Sequence, residues 1–512
     1  SQGTAFSTDK FYNADDILLS YFARANYDFQ GKYLASATFR ADGSSKFSKD
    51  NRWGFFPGVS AGWIFGREDF IKEAIPVMSF GKLRASYGIN GNASGIGAYT
   101  LQGSYGSSNS NGSFNYNGNT SYLITELPNP NLRWEKTATF EVGADLSFFA
   151  NRLNTNLTYY NRLTSDKYAA LSFPTSTGFS SVTNNNGEFR NQGIEIELSG
   201  KIIDSKDWTW SASGNIAFNK NKIVSLPDNG MERNRINAFQ VYTGNGDEKK
   251  WVGGQQEGQE PGILYLYQAD GIYRSYDEIP ANLVRKYGSR TYYGPEAWNK
   301  LTAEQQNATT NFPIQPGDTK FHDVNGDDVI DEFDKVKVGA TSPRWTGGFN
   351  TTLRWKNFQL YGRFDYALGF WLYENSGTQS TTPWFMGCYQ GTYNTPTMYY
   401  DTWSESNPNA KYPRYLFADQ NGKNNYIAST MFAYRGDYLA IREISLSYSL
   451  PESVAKMLKM QRAEVSITGQ NLGYITGAKN VGSPEANPKD NGAVGQGYSL
   501  PRTILFGVNL TF

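Results

Sequence analysis

The feature that most constrains this chain is an alternation of period two. In its closing stretch, Pro501 to Phe512, the residues Ile504, Phe506, Val508, Leu510 and Phe512 alternate with Leu505, Gly507, Asn509 and Thr511. Successive side chains of a strand point to opposite faces, so such a stretch has one apolar face. The pattern recurs along the whole chain. Tyr21, Ala23, Ala25, Tyr27 and Phe29 interleave with Arg24, Asn26 and Asp28, and Leu83, Ala85, Tyr87 and Ile89 interleave with Arg84, Ser86 and Gly88. Further instances are Phe140 to Phe148 against Glu141 and Asp145, Ile194 to Leu198 against Glu195 and Glu197, and Phe358 to Tyr366 against Arg363 and Asp365. Charges fall on the face that is not apolar. Periodicity alone does not separate a barrel in lipid from a soluble sandwich, because both alternate.

Composition and strand length make the separation. The chain has 35 Tyr, 32 Phe and 12 Trp, or 15% aromatics, yet its mean hydropathy is only -0.57. No run of about 18 apolar residues exists to make a membrane helix. Many aromatics on an otherwise polar chain fit a barrel with aromatic girdles and polar loops. The alternating stretches are about 10 to 14 residues long, more than soluble sheets use and enough to cross a bilayer at a tilt. With 48 basic and 48 acidic residues the net charge is zero, and nothing points to nucleic acid. A single cysteine, Cys388, excludes an internal disulfide, and a single histidine, His322, argues against His-based catalysis or His-rich metal binding.

Thirteen strands are expected, near 17–29, 32–41, 54–66, 80–90, 133–148, 152–163, 188–202, 207–220, 344–355, 357–370, 437–450, 461–473 and 501–512. Their connections alternate in length. Short ones lie at 30–31, 67–79, 149–151, 203–206, 356 and 451–460, and long ones at 42–53, 91–132, 164–187, 221–343, 371–436 and 474–500. Short periplasmic turns and long extracellular loops are the mark of an outer-membrane barrel. If the last strand ends in the periplasm, the first runs downward from the cell surface. Bacterial barrels have an even strand count, so this reading expects at least one upstream strand, with the signal peptide, outside residues 1–512.

At this level of detail the chain resembles the SusC/RagA-like TonB-dependent outer-membrane transporters of Bacteroidetes. The likeness covers nearly all residues. It is strongest at Lys32 to Trp63, Phe80 to Asn92, Asn129 to Phe149, Asn191 to Gly200, Pro316 to Asp331 and Asp437 to Pro451. The resemblance implies the C-terminal part of an all-β transmembrane antiparallel barrel of about 22 strands. It also implies an N-terminal plug that this sequence does not contain. It further implies active import of oligomeric nutrients, glycans or oligopeptides, without enzymatic chemistry. The implied partners are a SusD-like surface lipoprotein, TonB acting through the plug-bearing part, outer-membrane lipid, and a dimer of transporter–lipoprotein pairs. Two other classes stay open: a soluble or surface β-protein that binds or cleaves glycans, and a passive porin or adhesin barrel.

Two constellations lie in the long loops. Asp323, Asn325, Asp327, Asp331 and Asp334 occupy positions 1, 3, 5, 9 and 12 of a calcium loop, with the Val329 carbonyl at position 7. Position 6 is Asp328 where an EF-hand has Gly, and position 12 is Asp rather than the usual Glu. The expectation is either a structural Ca²⁺ or an ion-free turn held by side-chain to backbone hydrogen bonds. The second constellation is aromatic: Trp371, Tyr373, Trp384, Tyr389 and Trp403 are candidates for substrate or lid contact. Ordinary packing is the competing reading. The polar set Arg24, Asn26, Arg84, Glu141, Asp145, Glu195, Glu197, Arg363 and Asp365 is expected to face a plug-filled lumen. No carboxylate pair stands out as acid and base.

Overall fold

The computed structural model describes residues 16–97, 100–107, 115–116, 119–120, 122–173, 175–179, 181–373, 401–414, 427–478, 483–485 and 500–512. Its largest element is an antiparallel sheet of thirteen strands, each pairing with its neighbours in chain order. The strands are β1 (Leu18–Phe29), β2 (Tyr33–Ser44), β3 (Trp53–Trp63), β4 (Met78–Asn92), β5 (Glu135–Phe148), β6 (Leu153–Ser172) and β7 (Ser181–Asp204). They continue as β8 (Trp208–Ser225), β9 (Trp345–Trp355), β10 (Phe358–Leu368), β11 (Tyr438–Ser449), β12 (Arg462–Thr476) and β13 (Thr503–Thr511). The thirteen expected strands are these thirteen. The short connections are tight because their residues accept left-handed backbone: Gln30 and Gly31 have φ of 57° and 61°, and the amide of Gly31 donates to Asp28 Oδ1 at 2.7 Å.

By internal contacts the chain divides into one unit of Ser1–Ile194, Lys220–Arg235 and Glu257–Gln259, and another of Glu195–Asn219, Ile236–Gln256 and Glu260–Phe512. In the first unit the register places Tyr21 opposite Ala41, Ala25 opposite Ala37 and Phe29 opposite Tyr33, so the apolar rows of β1 and β2 share one face. That face is uncovered, with Tyr21 61%, Tyr27 64% and Val59 58% exposed. Aromatics stack across it, Tyr21 on Trp53 and Phe39 on Phe55. In the second unit Ile504, Phe506 and Val508 of β13 are 63%, 82% and 69% exposed. Large apolar rows left open in this way need a non-aqueous neighbour. At the short-turn ends of this unit Trp208 stacks on Trp355, Trp355 on Phe358, and Phe358 meets Tyr448, the start of an aromatic girdle.

Two connections differ from expectation. The loop expected at 164–187 is mostly strand, because β6 runs on through Thr164–Ser172 and β7 begins at Ser181, with a 3-10 turn at Thr175–Thr177 between them. Neither extension alternates apolar with polar residues, so there is no period-two signal to read. The connection expected at 221–343 is a folded body with a core of its own. Strands Val284–Tyr287, Arg290–Tyr293, Asn311–Pro313 and Val329–Ile330 form a four-stranded sheet. Tyr292 and Ile330 of this sheet pack in one buried cluster with Tyr267, Tyr273, Leu283 and Phe321. Arg285, 2% exposed, lies over the rings of Tyr292 and Phe321 at 4.4 and 5.1 Å, which offsets the cost of burying its charge.

Candidate functional site

The non-apolar face of the sheet carries the polar set. In the first unit a groove of about 470 Å³ runs over β1 to β5, lined by Arg24, Asn26, Ser60, Lys82, Arg84 and Glu141 among others. Arg84 reaches Asp145 Oδ1 at 3.3 Å and Asn156 Oδ1 at 2.9 Å, and Arg162 reaches Glu141 at 3.4 Å. Alternation places these groups on one side of the wall and their own ion pairs hold them apart from the apolar rows. In the second unit Arg363 approaches Asp365 at 3.9 Å, and Glu195 and Glu197 lie exposed on β7. The charges form a polar surface on one side of the wall.

The acidic turn is closed by its own backbone. Asp323 accepts from the amides of Gly326 and Asp328, both at 2.8 Å, and Asp327 accepts from the amide of Val329 at 2.8 Å and from Asn325 Nδ2 at 3.0 Å. Asp331 accepts from the amide of Phe333 at 2.9 Å, and Asp334 from those of Val324 and Asp331 at 2.8 and 2.7 Å. Asp328 takes φ of 61°, the left-handed conformation that an EF-hand gives to Gly at this place. Val329 begins a two-residue strand against Val284. Asp334 is fully buried, and this burial pushes its carboxyl up to about 6, with the Asp331 and Asp323 carboxylates adding to the shift. Among the described residues no three His, Cys, Asp or Glu side chains converge as metal ligands. One acceptor is orphaned: Asn325 Oδ1 is buried without a partner.

The aromatic candidates separate. Tyr373 is in a core with Leu264, Leu266, Tyr412 and Phe432, and Trp371 packs against that core with Arg435 over its ring. Trp403 lies over Gly317, where a Cβ would meet its ring. Trp384 and Tyr389 lie outside the described residues.

Sequence reading passed over the polar contacts that tie the loops down. Asp318, 0% exposed, accepts from Arg414 Nε at 2.6 Å and joins the 401–414 segment to the folded body. On β11, Arg442 donates to Asp365 Oδ2 at 2.7 Å and grips both oxygens of Glu485, from the segment 483–485. Neither partner has a spacing motif. The site of Arg442 did leave a trace, because the apolar row changes phase from Leu439 and Ile441 to Ile444 and Leu446, and both ladders skip Arg442 there as a bulge.

A wall with these two faces has counterparts among known proteins. Residues 2–283 match the family model "TonB dependent receptor-like, beta-barrel". The chain belongs to this family. The TonB-dependent receptor P3 of Formosa agariphila is 30% identical over 510 residues, covering 98% of this chain and 46% of that protein. The TonB-dependent receptor SusC of Bacteroides thetaiotaomicron is 28% identical over 517 residues, covering 98% of this chain and 44% of that one. A solved structure of the RagAB peptide transporter superposes with a TM-score of 0.69 at 23% identity, covering 97% of this chain and 48% of that chain. The chain spans about half the length of the curated relatives it matches. For a TonB-dependent receptor barrel the open apolar face is the lipid face of an outer-membrane wall, and the polar face is the inner one.

Proposed function

We propose that this chain is the barrel portion of a TonB-dependent importer of oligomeric nutrients, glycans or oligopeptides, acting as the SusC-like component beneath a SusD-like surface lipoprotein. The observation that carries the reading is the family match laid over a wall with one lipid-facing apolar side and one inward side of pre-formed ion pairs. Substrate is captured between lipoprotein and barrel. Force carried through TonB to the plug-bearing part of the protein opens a path along the polar face, and no bond in the substrate is broken. Such pairs assemble as dimers. Of the aromatic candidates, Trp371 and Trp403 keep part of their surface exposed, and we assign them contact with lid or substrate. The RagAB structure is described as that of a peptide transporter, which supports the oligopeptide class, and the glycan class rests on the family resemblance of the sequence.

The test is native mass spectrometry of the complex extracted in detergent. A co-purifying lipoprotein and a trapped oligomer are expected; mass steps of sugar units identify a glycan importer and steps of amino-acid residues a peptide importer. A barrel that comes alone and conducts ions freely in planar bilayers is a porin, and the reading fails.

We propose in addition that the Asp323 turn takes a structural Ca²⁺. Its donors are Asp323, Asn325, Asp327, the Val329 carbonyl, Asp331 and Asp334, a hard-oxygen set with one oxygen already orphaned. Calcium at about 1 mM, the upper end for extracellular sites, should raise the melting temperature of the complex over its value in EDTA. The double variant Asp323→Asn, Asp327→Asn should lose that rise. Equal melting temperatures in calcium and EDTA would remove the ion.

A further inference from the structure

Two connections on the short-turn side are longer than turns, and both fold back onto the lipid-facing rows. The first follows β3. Phe65 lies across Gly81 of β4, where a Cβ would come within 2.6 Å of its ring. Gly81 belongs to the row of Leu83, Ala85 and Tyr87, since the register pairs these with Leu146, Ala144, Val142 and Phe140. Glu68 accepts from Tyr33 OH at 2.9 Å and Trp63 Nε1 at 3.3 Å, two aromatics paired on that same face, and from Lys32 Nζ at 2.7 Å. The helix Asp69–Ala74 then presents Phe70, 61% exposed.

The second connection, in the other unit, repeats the device. The helix Glu452–Met457 packs against β12, and Ala463 of that strand is only 2% exposed although it shares the row of the open Val465 and Ile467. Ala455 of the helix is 1% exposed, while Met457 is 75% and Leu458 50% exposed, between Lys456 and Lys459. In both places a small residue of a lipid-facing row, Gly81 or Ala463, makes room for the connection. In both places apolar side chains then stand open beside lysines.

We propose that residues 64–77 and 451–460 are lipid anchors. Phe70, Met457 and Leu458 enter the boundary between headgroups and acyl chains of the phospholipid leaflet, Lys459 reaches the phosphates, and Lys72 and Lys456, paired within their helices with Asp69 and Glu452, join it at the headgroup level. The occupant follows from continuity: each connection seats on the face that already meets lipid, and its apolar residues extend that face past the strand ends. Lysines with apolar neighbours at a membrane rim take this arrangement, stem in the boundary and ammonium outside.

The test uses the full-length protein, with cysteines removed, in vesicles of phosphatidylethanolamine and phosphatidylglycerol. Nitroxide is attached in turn at Phe70→Cys, Met457→Cys and, as a second probe of the same helix, Leu458→Cys, with Asp69→Cys and Glu452→Cys as aqueous references. Collision with oxygen relative to a water-soluble nickel chelate should be severalfold higher at 70, 457 and 458 than at the references. Equal nickel access at all five positions places the helices in water and overturns the proposal. Low access to both oxygen and nickel means a protein covers them, and overturns it as well.

Discussion

Replacing Asp318 by alanine should detach the 401–414 segment from the folded body between β8 and β9, at a cost of about 3–5 kcal/mol, the usual effect of breaking a buried ion pair from one side. Asp318 is fully buried and accepts from Arg414 Nε at 2.6 Å and from the amide of Gln315 at 3.0 Å. Arg414 also donates through Nη1 to Gln315 Oε1 at 2.8 Å and through its amide to the carbonyl of Gly317 at 2.9 Å. Gly317 has φ of +87° and lies beneath the Trp403 ring, so the turn cannot shift to fill the gap left by a lost carboxylate. Alanine therefore leaves the guanidinium half-enclosed and deprived of this carboxylate. Asp318→Asn keeps the shape and loses only the charge, and should cost less, about 1–2 kcal/mol. Hydrogen exchange over residues 401–414 in the intact complex reads the effect. Protection unchanged in the alanine variant would mean that Tyr412, Trp403 and the remaining hydrogen bonds of Arg414 hold this segment without the ion pair.

The wall was legible because lipid on one side and water on the other impose opposite demands on alternate residues over ten or more positions. Tyr21 to Phe29 and Ile504 to Phe512 could satisfy both only as strands. The same physics explains what was missed. Over residues 164–172 and 181–187 the strands continue where the alternation of apolar and polar residues stops, and the chain looks like loop. The body around Tyr267 and Tyr292 is built from strands of two to six residues between glycine turns, each too short to show a period. The Asp323 turn was visible as a spacing, but spacing does not say whether a carboxylate faces a cation or an amide, and in the fold most of its oxygens face amides. Glu485 is the opposite case. Nothing near it in sequence marks it, because its partners Arg442 and Tyr474 come from other strands.

Replacing Arg442 by methionine should release the segment 483–485 from the inner face of the wall and cost about 3 kcal/mol locally, since two carboxylates lose their shared cation in a partly enclosed site. The bulge is what makes this arginine special. The ladder passes from Ile441 to Glu443 on both sides, and Asn471 opposite takes φ of 51°, so the extra residue is turned onto the polar face. There Asp365 fixes its Nε, and the remaining nitrogens take Glu485, which also accepts from Tyr474 OH at 2.9 Å. Tyr474 and Tyr438 flank the same face, their rings edge to face at 5.9 Å. A carboxylate from a loop is thus held by donors from two wall strands. Glu485→Gln should cost less than Arg442→Met, because the amide oxygen still accepts from Tyr474 while its nitrogen opposes the guanidinium. The pair Arg442→Met with Glu485→Met should recover part of the loss, as an ion pair exchanged for apolar groups does. Single-channel conductance of the full-length protein in a planar bilayer separates a fastening from a gate. If the segment closes the inner path, conductance rises in Arg442→Met and Glu485→Gln in the order of their stability loss. If conductance stays at the wild-type level while the melting temperature falls, the contact fastens the loop and leaves the path to the plug.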